Sequence, residues 1–272
     1  MHLNVDKIKK KLIVIILTAL VFISSAVLGI ATVYRVREVT VIASVVSTEA
    51  KEEEQALKAR LEEAYNKDSI FFANEGEAEK ILEEFPYFQI TSFEKDYLNR
   101  IVIELTEDAE VYAVEAGDGE YYILSVNGTV LEKRASSQNR LEEKENLIIT
   151  GLDVSGEKGK KLNGGETLEA ILLFCNQMSE TLDGLRNNVV SLCVEKLTQG
   201  QDASRQEIQF KIQMVEGVVI YVNLPMERTV DKAIAAANEY MKLPDNQKIK
   251  GELRVFEGTG DDNKGQICVN YK

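Results

Sequence analysis

From Leu12 to Val33 the chain runs for 22 residues without a charge, directly behind Lys7, Lys9, Lys10 and Lys11. About 20 apolar residues are enough to cross a hydrocarbon core as a helix. Basic flanks stay on the cytoplasmic side. The pattern therefore predicts a cytoplasmic tail over 1–11, a transmembrane helix over 12–33 and everything after Tyr34 delivered outside. The rival reading is a cleaved signal peptide, for which Gly29-Ile30-Ala31 offers a small-x-small site. The apolar core of such a peptide normally spans only about 7–15 residues, so length favours retention.

Beyond the anchor the hydrophobic period changes twice. Val36 to Ala43 is β-branched and reads as a strand. Ser47 and Thr48 can cap a helix through Tyr65, with Leu57, Leu61 and Ala64 inward and Glu52 to Glu54 suiting the dipole of its first turns. Asn74 can cap a second helix, where Ala78, Ile81, Leu82 and Phe85 fall at i, i+3, i+4 and i+7 before Pro86 stops it. Strands near 88–94 and 101–106 follow, with a turn over Asp96 to Asn99. Strand, helix, helix, strand, strand in about 75 residues would bury one small core under a three-stranded sheet.

After Asp108 the pattern is strand-rich. Segments 111–115, 120–124 and 129–132 read as short strands, with turns at Asp118-Gly119 and Asn127-Gly128. A polar loop over 134–145 and the apolar step Leu147-Ile148-Ile149 come next. A helix from Glu166 to about Leu182 carries Leu168, Ile171, Leu172, Cys175 and Leu182 on one face. Val189 to Val194 is a strand, and Ile208, Phe210, Ile212 and Met214 alternate as one side of another. A helix over 230–241 would turn Val230, Ala233, Ile234, Ala237 and Met241 inward. Leu253 and Val255, then Ile267, Val269 and Tyr271, alternate on two last strands joined by the loop Gly258 to Gly265. The fold class is α+β: a single spanning helix, a small βααββ domain over 34–107, and a larger mixed β-rich domain over 108–272 with two or more helices.

Composition narrows the function. Residues 1–37 carry a net charge of +5 and the remainder −18. An acidic exterior argues against nucleic acid, because phosphates would be repelled. The single histidine, His2, lies in the tail, so Ser-His and Cys-His catalysis are absent from the main body. Cys175, Cys193 and Cys268 have no metal-ligand spacing. They read as small core residues, with one disulfide open. The loop from Gly151 lacks the Lys-Ser/Thr pair of a phosphate loop. Asp261-Asp262-Asn263 lacks calcium-loop spacing and reads as a hairpin tip. No cofactor, metal site or catalytic residue is expected.

Local pieces share a pattern with a known family. Val36-Arg37-Glu38-Val39-Thr40-Val41 looks like a first strand just after a membrane. Ile81 to Phe88 is similar to a helix-Pro-strand passage, and Tyr97 to Glu107 to a strand ending in a Glu. Tyr121 to Leu131 looks like an opening hairpin, and Leu147 to Gly151 like a later apolar-Gly step. In this order they resemble FtsQ/DivIB, the bitopic cell-division proteins of bacteria, with an anchor, a POTRA domain and a β domain. The chain departs at Glu107-Asp108-Ala109-Glu110, where the family often has Glu-Arg-x-Pro, and at Ser125-Val126-Asn127 before Gly128.

The resemblance implies no enzyme. It implies a scaffold at the division septum, in the cell membrane, that binds FtsL-like and FtsB/DivIC-like partners and helps control septal peptidoglycan synthesis. It further implies that the partner adds a strand near the C-terminus, so that main-chain hydrogen bonds supply affinity. The partner-binding set expected on that basis is Leu253, Val255, Phe256, Gln266, Ile267, Cys268, Val269, Asn270 and Tyr271. The alternatives are a cell-wall hydrolase working through two carboxylates, a paralogous membrane-anchored interaction protein, and a receptor with an outer ligand domain.

Overall fold

The computed structural model describes residues 5–66, 69–96, 99–140, 145–198, 206–260 and 262–272. His2, the turn residues Tyr97 and Leu98, part of the polar loop over 134–145, and Asp261 of the hairpin tip lie outside them. Six helices and twelve strands are present among the described residues, and the chain divides into two compact units.

The N-terminal helix α1 (Val5–Val33) is 29 residues long. The spanning helix expected over 12–33 is corrected here. Among the described residues no helix is long and apolar enough to cross a membrane. Within α1 Thr18 and Ser24 carry hydroxyls, which donate back to Val14 O (2.8 Å) and Leu20 O (2.5 Å).

The first unit holds β1 (Glu38–Ser44), α2 (Thr48–Tyr65), α3 (Glu75–Leu82), β2 (Phe88–Asp96) and β3 (Arg100–Glu107). The sheet order is β1-β3-β2, with β1 parallel and β2 antiparallel to β3. Helix α2 starts where Ser47 Oγ accepts from Ala50 N at 3.0 Å, which satisfies one orphan donor of the first turn. The Glu107 carboxylate, at the far end of β3, accepts from Val46 N (2.7 Å) and Ser47 N (2.9 Å). It thereby pins the turn between β1 and α2. Leu57 and Leu61 are fully buried with Ile101 and Ile103 of the middle strand. Helix α3 ends at Leu82 rather than running to Phe85. The ring of Pro86 disfavours helical backbone at the residue before it.

The second unit is one nine-stranded mixed sheet. Its strands are β4 (Tyr112–Glu115), β5 (Tyr121–Leu124), β6 (Val130–Arg134), β7 (Leu147–Thr150), β8 (Val189–Thr198), β9 (Gln206–Met214), β10 (Val219–Asn223), β11 (Glu252–Glu257) and β12 (Ile267–Tyr271). The spatial order is β12-β11-β10-β9-β8-β7-β4-β5-β6. Three neighbouring pairs are parallel, β4–β7, β7–β8 and β10–β11; the first is connected through β5 and β6, and the other two crossovers each take a helix. Helix α4 (Gly165–Leu182) joins β7 to β8, and α5 (Thr229–Lys242), followed by the short α6 (Asp245–Lys248), joins β10 to β11. The two long helices pack on each other.

The core fills the side of the sheet that faces these helices. Phe174 of α4 meets Phe210 of β9 edge to face at 6.0 Å, and Ile212, Met214, Ile220, Val222, Leu253 and Val255 are buried around them. The alternate residues carry polar contacts instead. Lys211 pairs with Glu195 at 3.5 Å, and the Arg254 guanidinium lies 5.2 Å from the centre of the Tyr221 ring.

Candidate functional site

Strand β12 is the last strand of the sheet, paired on one side only, with β11. The hairpin between them is closed by Gly258 N donating to Gln266 O at 2.9 Å, and Asn263 Oδ1 accepts from Gly260 N at 3.0 Å across its tip. At the other end Glu252 and Lys272 exchange both backbone hydrogen bonds, at 3.0 and 2.8 Å.

These end bonds decide which way every amide of β12 points. In an antiparallel pair, hydrogen-bonded and non-hydrogen-bonded positions alternate. Since Glu252↔Lys272 and Gly258↔Gln266 are hydrogen-bonded, Arg254↔Asn270 and Phe256↔Cys268 are too. The pairs Leu253↔Tyr271, Val255↔Val269 and Glu257↔Ile267 are then the non-hydrogen-bonded ones. The N–H and C=O groups of Ile267, Val269 and Tyr271 therefore point away from the sheet. They meet no backbone partner among the described residues.

The opposite edge differs. Strand β6 is also terminal, but the segment after β7 folds against it. Val130 N donates to Lys160 O and Gly159 N to Val130 O, both at 2.8 Å, and Thr129 bridges Lys161. Among the described residues the β6 edge is met at Val130, and no strand meets the outer side of β12. Proteins usually guard an open edge with charge or proline; Ile267 to Tyr271 contains neither.

The nine expected site residues separate by direction. Leu253 and Val255 are buried, at 2% and 0% exposure, and belong to the core. Ile267 and Val269 pack their side chains partly against that core. Cys268 and Asn270 turn their backbone to β11, Phe256 is half-buried, and Gln266 closes the hairpin. Tyr271 Oη donates to Lys250 O at 2.9 Å, fastening the strand's end. All three thiols are free. Burial pushes that of Cys175 up to about 12.

No family model and no curated protein matches this chain. The site must be read from its own geometry.

Two polar clusters in the second unit had no sequence signal. The first surrounds Glu110, which is 1% exposed. Its carboxylate accepts from both Arg134 terminal nitrogens (2.9 and 2.7 Å), Tyr87 Oη (3.0 Å), Asn146 Nδ2 (3.2 Å) and Arg140 N (3.2 Å). Arg134 also contacts Glu132 and the Gln138 carbonyl. Burial raises the Glu110 carboxyl, but the donors on Arg134 and Asn146 and the Arg134 charge outweigh it and hold it below its usual range. Every acceptor direction is filled, so this is structural cement. The second cluster surrounds Lys232. Among the described residues no group of three or more His, Cys, Asp or Glu side chains is arranged to hold a metal.

Proposed function

We propose that this protein is a non-enzymatic scaffold that binds a partner by strand addition to β12. On the resemblance to FtsQ/DivIB, the partners are FtsL-like and FtsB/DivIC-like division proteins, and the outcome is control of septal peptidoglycan synthesis. The observation that carries the reading is the row of outward-pointing amides and carbonyls at Ile267, Val269 and Tyr271, on an edge with no charge or proline to guard it. An added strand satisfies those groups by main-chain hydrogen bonds, and alternate side chains select the sequence.

The test is capture of the soluble segments of FtsL-like and FtsB/DivIC-like proteins by the full chain. Removing residues 251–272 is a poor variant, because it takes Leu253 and Val255 out of the core. Val269→Pro is better. Proline is tolerated on an edge where the lost N–H faces outward, so the fold survives while the central bond to the partner is removed. The expected result is at least tenfold weaker capture by Val269→Pro and unchanged capture by Asp262→Ala at the exposed hairpin tip. Equal capture by both variants would refute strand addition.

A further inference from the structure

The second unit contains a half-open cavity of about 640 Å³ at one end of β10 and β11, lined by Leu224, Glu227, Lys232, Phe256, Glu257 and Lys264 among others. Its size is that of a small-molecule site. Lys232 reaches it from α5 and is only 1% exposed. Its ammonium donates to Asn223 O (3.0 Å) and Leu224 O (2.7 Å). An ammonium has three donors, so one remains.

The charge of Lys232 is balanced only at a distance. Among the described residues it forms no ion pair within 4.0 Å. Glu227 and Glu257 act on it through space, without contact. A buried ammonium is normally paired, because desolvation is costly. Here burial lowers the ammonium's pKa.

The backbone around it is shaped to hold this arrangement. Leu224 (φ 45°) and Arg228 (φ 52°) are both left-handed without being glycine, a conformation that L-residues rarely adopt. The Arg228 guanidinium ties the turn to the β11–β12 hairpin by donating to Gly265 O at 2.5 Å, and it also donates to Asp231 at 2.9 Å. Strain held in place by surrounding bonds is a feature of ligand sites.

A cation with one open donor therefore shares a cavity with three carboxylates, Glu207, Glu227 and Glu257, none of which contacts it. We propose that the cavity binds a small zwitterion, an amino acid or short peptide with free termini. The ligand carboxylate accepts from the third donor of Lys232, and the ligand ammonium pairs with Glu227 and Glu257. The apolar walls at Leu224 and Phe256 receive a hydrophobic side chain. The site borders the β11–β12 hairpin but uses none of the outward amides of β12, so its test needs no protein partner.

The test is isothermal titration calorimetry on the full chain with L-leucine and glycyl-L-leucine, which separate the free amino acid from the peptide. N-acetyl-leucine lacks the ammonium, and leucinamide lacks the carboxylate. At least one zwitterion should bind saturably at one per chain, with both controls at least tenfold weaker. Lys232→Met should weaken zwitterion binding at least tenfold. Should that variant not fold, Glu257→Gln at the rim serves instead, with a similar loss for the zwitterion and none for N-acetyl-leucine. The proposal is overturned if neither zwitterion binds saturably, if the controls bind as tightly, or if binding survives the substitutions.

Discussion

The ring of Tyr271 lies directly on Gly251. A Cβ at position 251 would meet Tyr271 Oη at 2.5 Å and ring carbons at 2.7 Å, and the backbone there has φ 123°. Only glycine permits both the conformation and the contact. This closes the C-terminal end of β12 onto the turn into β11. Gly251→Ala should cost about 2–3 kcal/mol through strain and overpacking. Gly117→Ala has φ 80° but open space around it, and should cost only about 1 kcal/mol. Urea unfolding of the two variants checks the difference.

The Glu110 cluster makes acid stability testable. The carboxyl is held low, so its contribution is fully present above the unfolded value of about 4.3. It is lost as pH falls through the lower folded value. Glu110→Ala leaves Arg134 with Glu132 as its remaining carboxylate and strands the Tyr87 and Asn146 donors, and should cost about 2–3 kcal/mol at neutral pH. The gap from the parent should narrow as pH falls below 4, read by denaturant unfolding across pH.

Asp108 works in the opposite direction. It is 8% exposed, and burial, only partly offset by nearby donors, raises its carboxyl. Its folded pKa lies above the unfolded one, so its own contribution to stability is greatest below the unfolded pKa and is lost as pH rises through the folded one. Asp108→Asn should stabilise the chain at pH 7 and have little effect at pH 3. A midpoint shift of the same size at both pH values would contradict this origin.

In the first unit, Glu107 holds two backbone donors of the β1–α2 turn. Hydrogen bonds to a charged acceptor contribute about 1.5–3 kcal/mol each when their loss strands the donor. Val46 is exposed and can turn to water, so Glu107→Ala should cost about 2 kcal/mol in all. Amide exchange at Val46 and Ser47 should accelerate in the same variant.

Elements with one buried face were legible in the sequence. The alternation at Phe210, Ile212 and Met214 and the period of α4 mark residues that are buried in the structure. On helix α5 Ala233 and Ala237 are buried as expected, but the buried face is turned toward the preceding positions. Met241, expected inward, is 47% exposed, whereas Lys232, Ala236 and Tyr240 are buried. A lysine counts as polar in any periodicity. Nothing local announces that its ammonium will find two carbonyls. The order of the nine strands was equally hidden, because pairings such as β4 with β7 join segments far apart in the chain. For the same reason the Glu110 network lay unseen, with Arg134 and Arg140 in a stretch read as a polar loop and Tyr87 and Glu110 far from it in the chain. The strand over Ile267 to Tyr271, singled out in the sequence, is terminal in the sheet. Register alone shows that Ile267, Val269 and Tyr271 face outward and that Leu253 and Val255 do not.

That register supplies the most direct test of strand addition. Amide hydrogen exchange would be followed residue by residue along β12 in the full chain, alone and with a saturating FtsB/DivIC-like segment. Cys268 and Asn270 already donate to β11 and should change little. The account predicts that Ile267, Val269 and Tyr271 exchange at least tenfold more slowly in the complex, giving protection at every second residue. A complex that forms without slowing these three amides would contradict it.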